Sequence, residues 1–191
     1  MTRINKIVIK GFKSFAKRTE LLFSNNFNCI LGPNGSGKSN IMDALCFVLG
    51  RVSSKSLRAE KSANLIYDGG KKGVPAKSGE VSIYFDNSRK IFPSDDSEIK
   101  ITRIVKQTGA SIYKINDKRR TRQQVIDMMS VAAIDPSGYN IMLQGDINKF
   151  VEMSPEQRRL IVEEIAGISI YEDKKKKALN ELDKVESKLK E

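Results

Sequence analysis

The chain contains 191 residues, of which 39% are hydrophobic, so it is long and apolar enough to fold around a core of its own. It contains no histidine, which excludes histidine-based catalysis and histidine metal sites. No apolar run approaches the roughly 20 residues that a membrane helix requires. Residues 1–6 lead into a strand pattern without a signal-peptide apolar region, so we expect a cytoplasmic protein with no membrane partner.

Lysine and arginine outnumber aspartate and glutamate by 34 to 23, which leaves a formal net charge of +11. This excess favours a polyanionic partner, of which nucleic acid is the commonest. It is equally typical of a fragment whose acidic complement lies on another segment or chain, and charge alone leaves both interpretations open. The two cysteines, Cys29 and Cys46, fall in a β-prone run and a helix pattern, so both are predicted to be reduced core residues.

The first predicted elements are short strands. Isoleucines among polar residues between positions 4 and 9 indicate a strand that ends near Gly11, and residues 19–23 indicate a second. Two asparagines then favour a turn. Residues 27–31, Phe-Asn-Cys-Ile-Leu, form a further β-prone run directly before a glycine-rich loop.

Residues 32–39 read Gly-Pro-Asn-Gly-Ser-Gly-Lys-Ser and match the phosphate-binding P-loop pattern G-x-x-x-x-G-K-[ST]. The glycines let the backbone curl so that successive N–H groups point at phosphate oxygens. The Lys38 ammonium is placed to reach the β- and γ-phosphates, and the Ser39 hydroxyl is placed to ligate Mg²⁺. The pattern predicts a nucleotide site; a glycine-rich turn that binds nothing is the alternative.

Residues 40–49 are apolar around most of their circumference, which is typical of a helix buried beside a sheet. Gly50 suits the position just after the C-terminus of that helix. Strand, glycine loop and helix together are the context that the P-loop pattern requires. Residues 51–61 are polar and basic, and residues 68–79, which are rich in glycine and lysine, are predicted to form a mobile loop.

Three further strands are predicted over residues 81–85, 99–105 and 112–115, and the short links favour antiparallel pairing. Thr121 and Gln124 form a capping box at the start of a helix that is predicted to reach Ala133.

The C-terminal region is predicted to be mostly helical. Ser154 and Pro155 make a favoured helix start, and Gly167 ends that helix. Residues 171–191 contain no glycine or proline and carry apolar residues at the 4, 3, 4 spacing of a coiled-coil seam. These seam residues are Ala178, Leu182, Val185 and Leu189. The alternative is a solvated terminal helix, which would be marginal in water by itself.

Several further segments together carry a family resemblance. They are residues 11–15, 39–44, 56–58, 139–146, 153–155, 158–159 and 163–168. In this order and spacing they resemble the N-terminal half of the head of an SMC (structural maintenance of chromosomes) ATPase, most closely the prokaryotic and archaeal type. The related double-strand-break repair ATPase shares the P-loop, but its segments around Gly11 and Glu163 look different.

The resemblance covers essentially the whole chain and implies an α/β fold. That fold is an ABC-ATPase-like N-terminal lobe with mixed β-sheets packed around the P-loop helix, followed by the start of a coiled-coil helix. Residues 1–168 would form the lobe, and residues 169–191 would begin the coiled-coil arm. In this family a C-terminal lobe completes the head, and a long antiparallel coiled coil with a hinge joins the two lobes.

The resemblance also implies roles for individual residues. Gln144 would be the Q-loop residue, which ligates Mg²⁺ with Ser39 and orients the attacking water, and Lys38 would be the second catalytic residue. Arg58 matches an arginine that couples DNA to ATP hydrolysis in this family. The residues expected to bind ATP are Lys13, Ser14, Gly32, Asn34, Gly35, Ser36, Gly37, Lys38, Ser39, Asn40, Leu65 and Ile66, the last two near the adenine.

The sequence lacks three parts of an ABC active site: the signature motif, the strand ending in Asp-Glu (Walker B) and the aspartate loop. Residues 160–164, Leu-Ile-Val-Glu-Glu, are the nearest match to the second, but they lie inside the helix that Ser154 caps. In the family these parts, including the general base, belong to the C-terminal lobe. We therefore expect half an active site and negligible ATP hydrolysis by this chain alone.

The leading hypothesis is the ATP-binding half of a chromosome-organising ATPase, cytoplasmic and nucleoid-associated. The implied partners are the C-terminal lobe of the head, a second head in a homodimer, a kleisin-type subunit and double-stranded DNA. One alternative is the head half of a related DNA-repair ABC ATPase, and another is a basic DNA-binding module without turnover. A self-contained P-loop kinase or GTPase would need a second acidic or base-specificity motif, and none is found.

Overall fold

The computed structural model describes residues 2–50, 59–70, 73–132, 134, 141, 152–165, 175, 178–183 and 185–187. The chain divides into two compact units, Met1–Ser137 and Gly138–Glu191. The first unit contains a β-sheet and residues 32–39, which match the P-loop pattern and are called the P-loop below, and the second contains a capped helix and further helical residues. The predicted division after residue 168 stays a prediction.

The first unit is built on a six-stranded sheet in the order β2-β1-β3-β4-β5-β6, with every pair antiparallel. The strands are β1 Ile4–Lys10, β2 Thr19–Leu22, β3 Ser78–Asp86, β4 Glu98–Lys106, β5 Ser111–Ile115 and β6 Lys118–Arg120. The expectation of mixed sheets is therefore wrong for the described residues, which form one antiparallel sheet. Hairpin-length links can join only antiparallel neighbours, and most of these strands follow one another directly.

Strand β6 is an element that the sequence interpretation missed. Its residues, Lys-Arg-Arg, are all exposed and have no apolar alternation to signal a strand. A two-residue turn at Asn116 and Asp117, with φ values of 46° and 63°, folds β6 back on β5. Positive φ at both central residues is the requirement of the tight hairpin turn, so the Asn-Asp pair was the available signal.

One face of the sheet carries the core, because alternate residues of each strand point to the same side. Ile7, Ile83 and Ile101 are completely buried there. The helix α1, Lys38–Val48, packs on strands β3 and β4, and the rings of Phe12 and Phe47 lie 5.0 Å apart. The P-loop helix is thus held against the sheet by apolar contacts, as its sequence predicts.

Helix α2, Arg122–Val131, begins at the predicted capping box. The Thr121 hydroxyl accepts the Gln124 backbone N–H, and the Gln124 side chain accepts the Thr121 backbone N–H. These bonds satisfy two backbone donors that a helix N-terminus otherwise leaves unpaired. On the inner face of the helix, Val125 and Met129 are fully buried.

The segment before the P-loop differs from its prediction. Residues 27–31 form no strand, and the Phe27 and Leu31 side chains are 88% and 86% exposed. Cys29 is exposed, which corrects its assignment to the core, whereas Cys46 is buried as expected. A β-prone run becomes a strand only when a neighbour supplies hydrogen bonds and cover, and no described strand lies beside this one.

In the second unit, helix α3, Pro155–Ile165, begins at Ser154 as predicted. The Ser154 hydroxyl accepts the Gln157 N–H at 3.4 Å, and the Gln157 side chain accepts the Ser154 N–H at 3.2 Å. Residues 160–164 are therefore helical and do not end a strand. Residues 178–183 and 185–187 are also helical, and Leu182 and Val185 of the predicted seam are exposed. None of the helices in the described ranges is long and apolar enough to cross a membrane.

Candidate nucleotide-binding site

The P-loop curls because its glycines adopt backbone conformations that other residues avoid. Gly35 and Gly37 have φ values of 81° and 92°, and Gly37 is the N-cap of α1. At Gly32 a Cβ would lie 2.7 Å from the Ser36 hydroxyl, so a side chain there would require Ser36 to move. The loop therefore delivers the chain into α1 through a tight turn, in which the Ser36 N–H bonds the Pro33 carbonyl at 3.3 Å; an anion at the N-terminus of α1 would face the unpaired donors that a helix start leaves.

The Lys38 side chain folds back over this loop. Its ammonium donates hydrogen bonds to the carbonyl oxygens of Gly32 and Pro33 at 2.6 and 2.7 Å. The charge is thus held at the concave side of the loop, next to the N-terminus of α1. Phosphate oxygens bound there would meet both the ammonium and the positive end of the helix dipole.

The first turn of α1 carries Ser39 and Asn40. Ser39 is exposed, which leaves its hydroxyl accessible to a ligand. Hydroxyl and amide oxygens are donors that suit Mg²⁺, so Ser39 fits the predicted metal role. Gln144, its predicted partner, lies outside the described residues, as does Arg58. No cluster of three acidic or cysteine ligands occurs within the described ranges, so nothing there offers an all-protein metal cage.

A cleft of about 860 Å³ opens beside the P-loop and is the candidate site for the nucleoside. Two of its lining residues come from the turn after β1 and one from the first turn of α1, and most of the others come from residues 63–76. The lining residues are Lys13, Ser14, Asn40, Ala63, Asn64, Ile66, Tyr67, Asp68, Gly70, Pro75, Ala76 and Gln107. Of the two residues expected near adenine, Ile66 lines the cleft, whereas the Leu65 side chain is 1% exposed and packs in the core.

Lys13 and Ser14 both reach α1 from the turn that follows β1. The Lys13 ammonium donates to the carboxylate of Asp43 and forms a part-buried ion pair. The Ser14 hydroxyl accepts a hydrogen bond from the Asn40 amide at 2.9 Å. Sequence reasoning missed Asp43, because a single acidic residue in an apolar helix has no pattern that names its partner.

Arginines from other elements hold the C-terminal end of α1. Arg103 on β4 donates to the Phe47 carbonyl at 2.8 Å, and its guanidinium lies 4.2 Å from the Phe47 ring centre. Arg122 donates to the Gly50 carbonyl at 3.2 Å. Burial lowers the pKa of Arg103 and raises that of neighbouring Tyr113. Arg103 shares the inward-facing alternation of β4 with Ile101 and Val105, and this position was the signal of its burial that the sequence interpretation missed.

The basic residues of the first unit are unevenly placed. Lys118, Arg119 and Arg120 are exposed along the edge strand β6, and Lys77 is exposed near the cleft. Lys100 lies on β4, which β5 separates from β6, and a hydrogen bond with Asp117 raises the pKa of Lys100. The β6 edge therefore presents three cations to solvent, a geometry suited to phosphates.

The family described as RecF/RecN/SMC N terminal domain matches residues 3–191. The chain is 49% identical over 190 residues to the chromosome partition protein Smc of Pyrococcus furiosus and 46% identical over 188 residues to that of Aquifex aeolicus. These matches cover 99% and 98% of this chain but only 16% of each relative, so the chain spans about one sixth of their length.

Solved structures give the same picture. The chain is similar, with a TM-score of 0.86 and 49% identity, to an Smc head domain with an extended coiled coil from Pyrococcus furiosus, bound to the C-terminal domain of ScpA. That match covers 99% of this chain and 48% of the solved one. A second structure comes from work on ATP-driven dimerization and DNA-stimulated activation of SMC ATPases. This chain is similar to it with a TM-score of 0.79 and 48% identity, and the match covers 85% of this chain and 98% of that chain.

Proposed function

This chain belongs to the RecF/RecN/SMC N-terminal domain family, and we propose that it is the ATP-binding half of a chromosome-organising SMC ATPase head. The observation that carries the proposal is the P-loop, in which left-handed glycines lead into α1 and the Lys38 ammonium lies over the loop. The relatives' name, chromosome partition protein, supports the chromosomal role and nucleoid association.

In the proposed complex each part of the site has a separate task. Loop N–H groups and the N-terminus of α1 bind the β- and γ-phosphates, and Lys38 exchanges its carbonyl partners for phosphate oxygens. Ser39 and Gln144 would hold Mg²⁺, which neutralises charge on the phosphates when it is bound. The cleft beside Ile66 takes the nucleoside. These groups bind and orient ATP, and a general base is not among them.

We infer that the C-terminal lobe of the same head supplies the missing parts. The exposed apolar residues of the segment before the P-loop support this inference, because a run of exposed apolar side chains marks a surface that a partner covers. They are Phe27, Ile30 and Leu31. A β-strand pairing with residues 27–31 would bury them and restore the strand that the sequence predicts. By itself this chain should then hydrolyse ATP negligibly.

The other proposed partners follow from the relatives. ATP-driven dimerization is described for SMC ATPases of similar structure, so we propose that two heads enclose ATP and that each supplies its P-loop to the other's signature motif. The solved Smc head that carries the C-terminal domain of ScpA supports a kleisin-type subunit as a further partner.

Double-stranded DNA is the proposed polyanionic partner. The net charge of +11 and the exposed cations of β6 support contacts to phosphates that do not read bases. Arg58 is proposed to couple DNA to hydrolysis. The guanidinium of Arg122, which follows β6, donates to the Gly50 carbonyl instead.

Calorimetric titration of Mg-ATP tests the nucleotide proposal. Lys38→Ala should weaken binding at least about tenfold, or about 1.4 kcal/mol, because it removes a charge that faces phosphate. Lys17→Ala is the matched control, since Lys17 is exposed and lies outside the loop. Equal affinity in Lys38→Ala and wild type would refute the proposed site.

Turnover and DNA coupling need the completed head. Adding the C-terminal lobe should produce hydrolysis, and duplex DNA at low salt should stimulate it. Arg58→Ala should keep ATP binding and lose the stimulation. Sustained turnover by the 191-residue chain alone would contradict the half-site argument, and full stimulation of Arg58→Ala would remove Arg58 from the coupling role.

A further inference from the structure

We infer that two side-chain pairs, Lys13–Asp43 and Ser14–Asn40, form a clasp that holds the nucleoside cleft in register with the P-loop. The inference rests on the proposed nucleotide site and assigns a positioning role to Lys13 and Asp43. They act through the backbone that they join, so that ATP meets both halves of its site already aligned.

The clasp joins the turn after β1 to α1. Lys13 pairs with Asp43, and Ser14 accepts from Asn40 at 2.9 Å, so adjacent residues of the turn bind two α1 residues three positions apart. Residues three apart lie on one face of a helix. A side chain at Gly37 would lie 3.0 Å from the Ser14 hydroxyl, so the turn touches the P-loop itself.

Backbone hydrogen bonds join the same turn to the wall of the cleft. The Lys13 N–H donates to the Leu65 carbonyl at 2.8 Å, and the Tyr67 N–H donates to the Gly11 carbonyl at 2.9 Å. Phe12 forms a β-bridge with Ile66 between these bonds. Because Ile66 and Tyr67 line the cleft, any movement of the turn moves the wall.

Burial makes the ion pair the rigid member of the clasp. The Lys13 and Asp43 side chains are 11% and 4% exposed, and a buried pair tolerates the loss of either partner poorly. Lys13 also has a φ of 46°, a left-handed value that a lysine rarely adopts. Such a conformation persists when the surrounding contacts determine it, and the clasp and the Leu65 bond supply those contacts.

The consequence concerns how the two parts of ATP share binding energy. The triphosphate contacts the P-loop, and the nucleoside contacts the cleft wall. If the clasp keeps the cleft wall aligned with the P-loop, binding of the nucleoside requires no free energy to order the wall. The nucleoside contacts then add fully to the binding free energy of the phosphates. Without the clasp, the phosphates still bind, but the nucleoside contributes less.

The test compares Mg-ATP with Mg-tripolyphosphate on the 191-residue chain by calorimetry. In wild type ATP should bind more tightly than tripolyphosphate. In Lys13→Met and Asp43→Asn this advantage should fall by about tenfold or more, equivalent to about 1.4 kcal/mol. Affinity for tripolyphosphate should change by less than about threefold in both variants. Lys13→Arg should restore most of the advantage, because a cation again meets Asp43.

Two further variants separate positioning from other roles. Ser14→Ala removes the exposed pair without disturbing a buried charge, and it should lower the ATP advantage by about threefold while the chain stays folded. Lys10→Met makes the same chemical change as Lys13→Met at an exposed position of β1 and should change neither affinity. Circular dichroism melting of every variant identifies the temperature range in which all are folded.

Other outcomes refute the clasp. Equal losses for ATP and tripolyphosphate in Lys13→Met would make Lys13 a direct phosphate ligand. An unchanged advantage in folded Lys13→Met and Asp43→Asn would leave the pair a purely structural contact. If wild type binds neither ligand, the proposed nucleotide site itself is wrong, and the clasp falls with it.

Discussion

Replacing Arg103 with methionine should loosen the C-terminal end of the P-loop helix. Arg103 reaches across from β4 and donates to the Phe47 carbonyl at 2.8 Å, while its guanidinium lies 4.2 Å from the Phe47 ring centre and 5.0 Å from the Tyr113 ring centre. It also donates to the Ser111 hydroxyl at 3.2 Å. Methionine fills much of the same volume but offers no donor.

The magnitude follows from these contacts. A hydrogen bond with a charged donor contributes about 1.5–3 kcal/mol, and each cation–π contact adds about 0.5–1 kcal/mol. The cost of burying the guanidinium, whose effect is the lowered pKa of Arg103, is relieved in the variant and offsets part of this sum. We expect a net loss of about 2–3 kcal/mol in the free energy of unfolding and a fall in Tm of about 5–10 °C.

Urea and thermal unfolding, followed by circular dichroism, measure the loss. Arg119→Met is the matched control, because Arg119 lies on the same sheet in an exposed edge strand, and it should stay within about 0.5 kcal/mol of wild type. If Arg103→Met also stays within about 0.5 kcal/mol, the contacts to Phe47 do not hold the helix, and the reasoning is refuted.

Gly11→Ala should lower the free energy of unfolding, measured with urea, by about 2–3 kcal/mol. The added Cβ would lie 2.4 Å from the Ser78 carbonyl oxygen, at a backbone φ of +60°. A variant as stable as wild type would contradict that geometry. Burial raises the pKa of Tyr113, so the folded state favours the neutral phenol. The contribution of Tyr113 to the free energy of unfolding is therefore present below about pH 10 and is lost as pH rises further. Tyr113→Phe should therefore lose stability less steeply than wild type between pH 9 and 11, and parallel curves would refute this. Phe27→Ser with Leu31→Ser should leave the unfolding free energy within about 0.5 kcal/mol but weaken co-purification with the C-terminal lobe; undiminished capture would exclude this segment as the contact.

Local patterns in the sequence determined most of the secondary structure. The positions of five strands, the capping box at Thr121, the helix start at Ser154 and the P-loop with its helix follow from alternation, side-chain caps and glycine spacing, which act over a few residues. The P-loop also needs no tertiary partner to be identified, because its chemistry depends on contiguous residues. Strand β6 had only the Asn-Asp turn as its signal and was missed.

Tertiary structure decided which distant residues meet. Lys13 and Asp43 are 30 positions apart, and Arg103 and Phe47 are 56 apart; no local period relates them. Their pairing depends on the sheet order and on how α1 lies across it. The same reason explains the segment before the P-loop: its β propensity is local, but a strand needs a neighbour, and among the described residues none pairs with positions 27–31.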